Sequence, residues 1–575
     1  VTTPQGVSWS EAIDIVTGPG QLFELTTDTV RGVPMQVFRH APAHLGDLFA
    51  LARRHGDKEF LVYEDERYDF RAVFARADGC ADFLVCGLGL DRGDRVAVAM
   101  RNYPEWVMAF AGIVSSGLVS VSLNSWWTAD EMDFALRDSG ARVLICDEER
   151  YDVARKTCDA LGIDVVCVRT DRPAGTRFHR WDDCVGVGAD GNGPAHPGAR
   201  GVGPDDDATI LYTSGTTGRP KGAVSTHRAI ISALMAFSCR QHVDGVRATS
   251  KPPADDFPLC FILIVPLFHV TGCVAVMLSS LVAGLKLVMM RKWDVVRALE
   301  LIERERVTNF IGVPTQSWDL LNSGEFAKYD TSSLRSVGGG GAPAPATLVA
   351  KVAREVRTAG PQLGYGMTET NAYGPGNRGP EYVDRPTSTG RAVPPMKVEI
   401  RDENGVAVSP SVRGDIWLFG PMLFRGYWNR PDATEQALHA GWLRTGDIGH
   451  LDDEGFLYIE DRATDMILRG GENVYCAEVE SAVYELPGIG EAAVFGVPDE
   501  RLGEEVAVAI VPLRSGGIDA PTVWNGLTGR IAAFKVPTYV AILAVPLPRN
   551  AAGKVVKRQL REWVVSRSVE VTERP

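Results

Sequence analysis

Leu211-Tyr-Thr-Ser-Gly-Thr-Thr-Gly-Arg-Pro-Lys-Gly222 is a hydroxyl- and glycine-rich segment that ends in a lysine. Gly215 and Gly218 let backbone N–H groups come close to an anion. Thr213, Ser214, Thr216 and Thr217 add short donors, and Lys221 adds a point charge, so the segment suits phosphate oxygens. The spacing is not that of a Walker A loop, which has four residues between its glycines and then Gly-Lys-Ser/Thr. Here two residues separate the glycines and Pro220 precedes the lysine. For this segment alone, a plain glycine- and threonine-rich surface turn is the alternative.

Around it the pattern is one of alternating strands and helices. Thr209 to Tyr212 reads as the strand that delivers the loop, after a Gly-, Asp- and Pro-rich surface loop from Phe178 to Asp207. Upstream, Glu59–Tyr63 and Tyr68–Phe70 flank an acidic turn and predict a hairpin. A helix follows, with Phe74, Ala77, Ala81, Leu84 and Val85 on one face. Arg95–Met100, Leu118–Leu123 and Val143–Cys146 predict strands; Pro104–Val114 and Thr128–Ser139 predict helices between them. This alternation predicts an α/β fold with a largely parallel sheet covered by helices. Near Asp461 to Asp465 the chain restarts as a smaller unit, with strands at Ala492–Val497 and Val506–Val511 and a helix from Thr522 to Ala533.

A chain of 575 residues exceeds one ordinary core and has interior enough for a substrate cavity. Its net charge of −13 argues against general affinity for nucleic acid or an anionic membrane, so a bound polyphosphate must meet local cations. The ten cysteines include no Cys-x-x-Cys pair and no Cys/His cluster, which fits free thiols in a reducing cytoplasm. No signal peptide is read in Val1–Val16. Phe257 to Met290 is apolar but broken by Pro266, His269, Gly272 and Lys286, so it predicts buried strand and helix rather than a membrane span; peripheral membrane contact stays compatible with it.

Further constellations carry chemistry. His269 lies in the apolar stretch Pro266–Gly272, where a satisfied core histidine is the alternative to a site residue. Gly338–Gly341, with Ala342 and Pro343, follow an expected strand at Leu334–Val337 and leave room for a flat ligand or an acyl chain, a structural turn being the other option. In Gly364–Thr370, Tyr365 offers a plate for a purine, Thr368 a donor to phosphate and Glu369 an oxygen ligand for Mg²⁺. Asp447, closing Gly441–Asp447, has a carboxylate suited to both ribose hydroxyls, and Arg462 offers a second ribose contact. Lys554 follows Gly553 in Pro548–Arg558 as a candidate mobile cation.

Taken in order, these segments resemble the AMP-forming adenylating superfamily of acyl-CoA synthetases, peptide-synthetase adenylation domains and luciferases. The resemblance runs from about Glu59 to Leu560. It rests on Tyr212–Gly222, Gly364–Thr370, Trp442–Asp447, Asp461–Val474 and Pro548–Lys554 taken as a set. It implies a large N-terminal domain of αβ layers, 1–463, that binds ATP and the acyl substrate, and a small mobile α+β domain, 464–575, that carries the catalytic lysine. By the same resemblance, Thr213 to Lys221 hold the β- and γ-phosphates, Gly341, Ala342, Pro343 and Tyr365 border adenine, and Asp447 with Arg462 fixes ribose. Thr368 meets the α-phosphate, Glu369 binds Mg²⁺ with help from Thr213, His269 borders the acyl site, and Lys554 reaches the carboxylate and the α-phosphate. Gly470 and Gly471 would line the pantetheine channel. Relatives often have Asp or Lys at the pivot two residues after the ribose arginine; here Thr464 stands there.

The function so implied uses ATP, Mg²⁺ and CoA to turn a carboxylic acid, read as a medium- or long-chain fatty acid, into an acyl-adenylate and then an acyl-CoA. Phe261, His269, Gly338–Gly340 and Gly364 are the expected acid-lining residues, a mixture that also suits a bulky cyclic or aromatic acid. A stand-alone acyl-AMP ligase that loads a separate carrier protein and a non-catalytic nucleotide- or acyl-binding protein are the competing readings. A homodimer is compatible with all three.

Overall fold

The computed structural model describes residues 6–185, 201–213, 220–248, 257–342, 344–356, 359–462, 465–470, 472–513, 517–550 and 553–574. Two eight-stranded sheets dominate it. The first runs through Gly426–Tyr427, Lys221–Thr226, Asp207–Thr213, Val119–Ser122, Arg95–Ala99, Val143–Asp147, Asp164–Val168 and Phe178–Arg180, and is parallel from Asp207–Thr213 onward. The second runs through Gly376–Arg378, Gly360–Gly364, Ser336–Gly340, Asn309–Gly312, Cys260–Leu263, Lys286–Met289, Glu59–Tyr63 and Glu66–Asp69. Its six inner strands are parallel. Parallel strands buried on both faces read as short apolar runs, which is why the alternating pattern was legible.

The helices Phe70–Asp82 and Pro104–Ser115 share one core with strands of both sheets: Phe74, Trp106 and Phe110 group with Phe60, Val96, Ile262 and Val288. Pro104–Ser115 is buried nearly all round, as expected of a helix packed between layers. A Cβ at Gly112 would lie 2.5 Å from Ala77 O, so glycine permits the two helices to touch.

A third sheet of Lys397–Arg401, Gly414–Phe419, Trp442–Leu451, Leu438–His439 and Leu457–Arg462 adjoins this body. The N-terminal hairpin Leu25–Val30/Val33–Phe38 covers it with Val30, Met35 and Val37 against Phe419. The last sheet is built from Ile467 onward and carries its own apolar clusters. Val479, Val483, Val508 and Val523 lie in one; Phe495, Ala509, Leu560 and Val564 lie in the other.

Three local expectations change. The strand expected at Leu334–Val337 is Ser336–Gly340, so three glycines lie inside it rather than after it. The expected helix Thr522–Ala533 is Ala520–Leu527, because Gly529 turns the chain at φ 80°. Within the expected loop after Phe178, Phe178–Arg180 forms an edge strand and Trp181–Cys184 a helical turn. Phe257–Met290 contains strands Cys260–Leu263 and Lys286–Met289 around the helical segments Thr271–Leu278 and Ser279–Ala283. Among the described residues no helix is long and apolar enough to cross a membrane.

Candidate active site

The strands that flank the phosphate-type segment, Asp207–Thr213 and Lys221–Thr226, pair with each other: Thr213 and Lys221 are antiparallel partners, and the Thr213 hydroxyl donates to Lys221 O at 3.3 Å. Ser214, Gly215, Thr216, Thr217 and Gly218 lie outside the described residues. Tyr212 anchors the outgoing strand: its hydroxyl donates to Asp138 Oδ2 at 2.7 Å, and its ring meets Trp127 edge-on.

Glu369 lies in the short turn Thr368–Thr370 and is buried. Its Oε1 accepts from the Tyr427 hydroxyl at 2.6 Å, and the Tyr427 ring lies 5.3 Å from Lys221 Nζ. Sequence reasoning missed Tyr427; its signal was only an aromatic after Gly426. Thr368 is half-buried beside Glu369. Among the described residues no three His, Cys, Asp or Glu side chains gather to cage a metal. Mg²⁺ is commonly held by one or two carboxylates together with substrate phosphates. Glu369, a buried carboxylate hydrogen-bonded to Tyr427, is an oxygen donor of that kind.

Tyr365 and Asp447 come together across the site. The Tyr365 hydroxyl donates to Asp447 Oδ2 at 2.5 Å, and Asp447 is only 5% exposed. Asp447 lies on Trp442–Leu451 with its backbone N–H on Thr445 Oγ1 at 3.1 Å, and Arg462 is its antiparallel partner on the next strand. The two expected ribose residues are therefore adjacent on neighbouring strands.

His269 follows strand Cys260–Leu263. Asn102, at the end of a strand of the other sheet, steers this connection: its amide donates to Val265 O at 3.0 Å and Met290 O at 3.1 Å, and its Oδ1 accepts from Leu267 N at 2.9 Å. His269 Nδ1 accepts from Thr271 N at 3.3 Å, which leaves the ring proton of the neutral form on Nε2. Burial, then the nearby charge of Lys554, pushes the imidazole pKa down to about 3, so His269 is uncharged near neutrality.

Lys554 is presented by a tight turn. Arg549 and Val555 pair antiparallel, Asn550 N donates to Lys554 O at 2.8 Å, and Lys554 N donates to Asn550 Oδ1 at 3.0 Å. The turn rests on Val313: a Cβ at Gly553 would lie 3.0 Å from Val313 Cγ2, and Gly553 has φ 81°. Gln316 fixes Val313, its Oε1 accepting from Val313 N at 3.0 Å while its Nε2 donates to Ile264 O at 3.1 Å. The ammonium of Lys554 thereby reaches Gly341, where a Cβ would lie 3.5 Å from Lys554 Cε and 4.0 Å from Nζ.

The glycine run serves another purpose than the expected one. A Cβ at Gly338 would lie 1.9 Å from Gln362 O, and one at Gly339 would lie 1.7 Å from Gly312 O. These positions are filled by neighbouring strands, so Gly338 and Gly339 make room for backbone rather than for ligand. Gly364 differs: a Cβ there meets nothing within 4 Å. Phe261 is 8% exposed and belongs to the main core. Ala342 follows Gly341 in the bend, and Pro343 lies outside the described residues. Gly470 packs near Leu502 in the last unit; Gly471 and Thr464 also lie outside the described residues.

Known proteins resemble this chain over most of its length. The model of the AMP-binding enzyme family matches residues 48–428, and that of the AMP-binding enzyme C-terminal domain matches residues 478–554. The chain is 36% identical over 505 residues to a long-chain-fatty-acid–CoA ligase of Mycobacterium tuberculosis, covering 87% of this chain and 93% of that one. It is 37% identical over 525 residues to a 3-[(3aS,4S,7aS)-7a-methyl-1,5-dioxo-octahydro-1H-inden-4-yl]propanoyl:CoA ligase of the same species, covering 89% and 97%. Among solved structures, ATP-bound MatB from Rhodopseudomonas palustris superposes with a TM-score of 0.76 at 30% identity, covering 89% of this chain and 98% of that one.

Proposed function

The chain belongs to the AMP-binding enzymes, and on that premise we propose how its residues divide the work of an AMP-forming acid:CoA ligase acting on a fatty acid. The overall reaction has two steps. A carboxylate oxygen attacks the α-phosphorus of ATP and pyrophosphate leaves, giving an acyl-adenylate; the CoA thiol then attacks the acyl carbon and AMP leaves.

In the first step two anions meet, so charge must be offset where they react. Lys554 does this from the side of Gly341. Thr213 to Lys221 hold the β- and γ-phosphates, and Thr368 donates to the α-phosphate. Tyr365, Gly341, Ala342 and Pro343 border adenine, while Asp447 and Arg462 take the ribose. Glu369, assisted by Thr213, would hold Mg²⁺, which supplies charge neutralisation on the phosphates when bound. The neutral imidazole of His269 borders the acid without competing for its carboxylate.

The second step requires Lys554 to withdraw. Residues 1–463 and 464–575 serve as body and lid, with the pivot at Thr464 and with Gly470 and Gly471 turned toward the thiol path afterwards. Asp461 Oδ2 accepts from Cys476 N at 2.5 Å, a contact across that joint. The apolar surroundings of His269 and the open face at Gly364 support a long apolar acid. No two of the ten cysteines are joined in a disulfide, in keeping with a cytoplasmic enzyme.

The observation that carries this reading is the ammonium of Lys554 beside Gly341 and His269. Its test is incubation of the purified protein with ATP, Mg²⁺, CoA and a graded acid library, with thioesters identified by mass. Medium- and long-chain acyl-CoA are expected; conversion of cyclic acids alone would move the substrate assignment.

A further inference from the structure

One side chain links the candidate metal ligand to the phosphate lysine. Tyr427 lies in the edge strand Gly426–Tyr427, where it is the antiparallel partner of Ala223, two residues along from Lys221. Its hydroxyl donates to Glu369 Oε1 at 2.6 Å and its ring faces Lys221 Nζ at 5.3 Å. The phenol is itself fixed. Tyr427 N donates to Thr434 Oγ1 at 2.9 Å, that hydroxyl donates to Arg430 O at 2.8 Å, and the Phe424 ring packs edge-on at 4.9 Å. Phe424 N also donates to Glu369 O at 2.8 Å, so one short segment holds both the backbone and the carboxylate of Glu369.

We propose that Tyr427 is a positioning residue that keeps Glu369 and Lys221 apart and aimed, and so sets the Mg²⁺ concentration the enzyme needs to bind its nucleotide. The physical reason is that a carboxylate and an ammonium within reach of the same phenol would otherwise turn toward each other. With Oε1 engaged by a neutral donor, the other carboxylate oxygen stays available and the ring face holds the lysine by cation–π attraction. The inference rests on Glu369 being the Mg²⁺ ligand.

The test compares Y427F with E369Q and the parent enzyme. Mn²⁺ binding is followed by electron paramagnetic resonance with ATP present and no acid, so that no turnover occurs, and the Mg²⁺ dependence of the complete reaction is measured alongside. Y427F deletes one oxygen and keeps the ring. It is expected to weaken ATP-dependent Mn²⁺ binding and raise the half-saturating Mg²⁺ about tenfold, the loss of a hydrogen bond to a charged group. Its kcat should recover at high Mg²⁺ and its Tm should stay near the parent value. Unchanged Mn²⁺ binding in Y427F beside weakened binding in E369Q overturns the role of Tyr427 and leaves that of Glu369 standing. Unchanged binding in E369Q overturns both. A fall in Y427F kcat that Mg²⁺ does not restore, together with a lower Tm, marks a structural residue and also overturns the proposal.

Discussion

Lys554 lies close enough to His269 for its charge to disfavour a second cation there, reinforcing the effect of burial on the imidazole. In the proposed site a lysine and a neutral histidine flank the approach of the carboxylate to Gly341. On this geometry K554A loses adenylate formation, measured by pyrophosphate exchange, by about 10²-fold or more, the usual scale for one preorganised electrostatic contact. The same variant still passes a supplied acyl-adenylate to CoA, measured as thioester. Equal loss in both half-reactions would contradict the assigned role.

The Tyr365–Asp447 pair supports a second prediction. Asp447 is buried and accepts a hydrogen bond from Tyr365, and in the proposed assignment the same carboxylate takes the ribose hydroxyls. D447N keeps the shape, retains an oxygen for Tyr365 and removes the charge. Its KM for ATP rises about tenfold or more, the scale of a hydrogen bond to a charged group, with a smaller change in kcat. Equilibrium ATP binding checks this; an unchanged Kd with a lowered kcat would place Asp447 outside the ribose site.

A third concerns acid stability. His227 is fully buried, its Nδ1 accepts from Leu45 N at 3.2 Å, its Nε2 finds no partner among the described residues, and burial pushes its pKa down to about 4. The unfolded chain, with His near 6.5, binds more protons than the folded one between those values. The contribution is therefore complete above pH 6.5, falls as pH drops and levels off below about 4, with a slope of up to about 1.4 kcal/mol per pH unit. The urea midpoint of the parent falls between pH 6.5 and 5, and H227Q, whose amide can still accept from Leu45, shows a shallower fall. Parallel curves for the two proteins would assign the acid sensitivity elsewhere.

The contrast between these residues explains what the sequence made legible. Thr213, Lys221, Glu369, Asp447 and Lys554 sit in the short, ordered segments that carry the family resemblance, so their pattern is readable in one dimension. Asn102 and Tyr427 do comparable positioning through partners far along the chain: Asn102 reaches Val265 and Met290, and Tyr427 reaches Glu369 and Lys221. A lone asparagine before a helix or a tyrosine in a two-residue edge strand carries no spacing that announces such contacts. The parallel strands were readable from their apolar runs. The Ser336–Gly340 strand was displaced because glycines signal a turn when their neighbours are unknown.

Those glycines give the last prediction. Gly339 and Gly364 lie on adjacent parallel strands of one sheet, yet a methyl group at Gly339 would collide with Gly312 O at 1.7 Å while one at Gly364 meets open space. G339A must push two strands apart at the sheet's centre, breaking the close approach that positions Val313 and hence the Lys554 turn. It therefore lowers Tm by many degrees or yields insoluble protein. G364A keeps the parent Tm and adds its methyl to the open face, shortening the space along the proposed acid path; long-chain acids lose kcat/KM more than medium-chain ones. Thermal scans of both variants and a chain-length series for G364A separate these effects. A soluble, stable G339A would show that the strand spacing there is not tight, and a uniform loss over all chain lengths in G364A would remove Gly364 from the acid path.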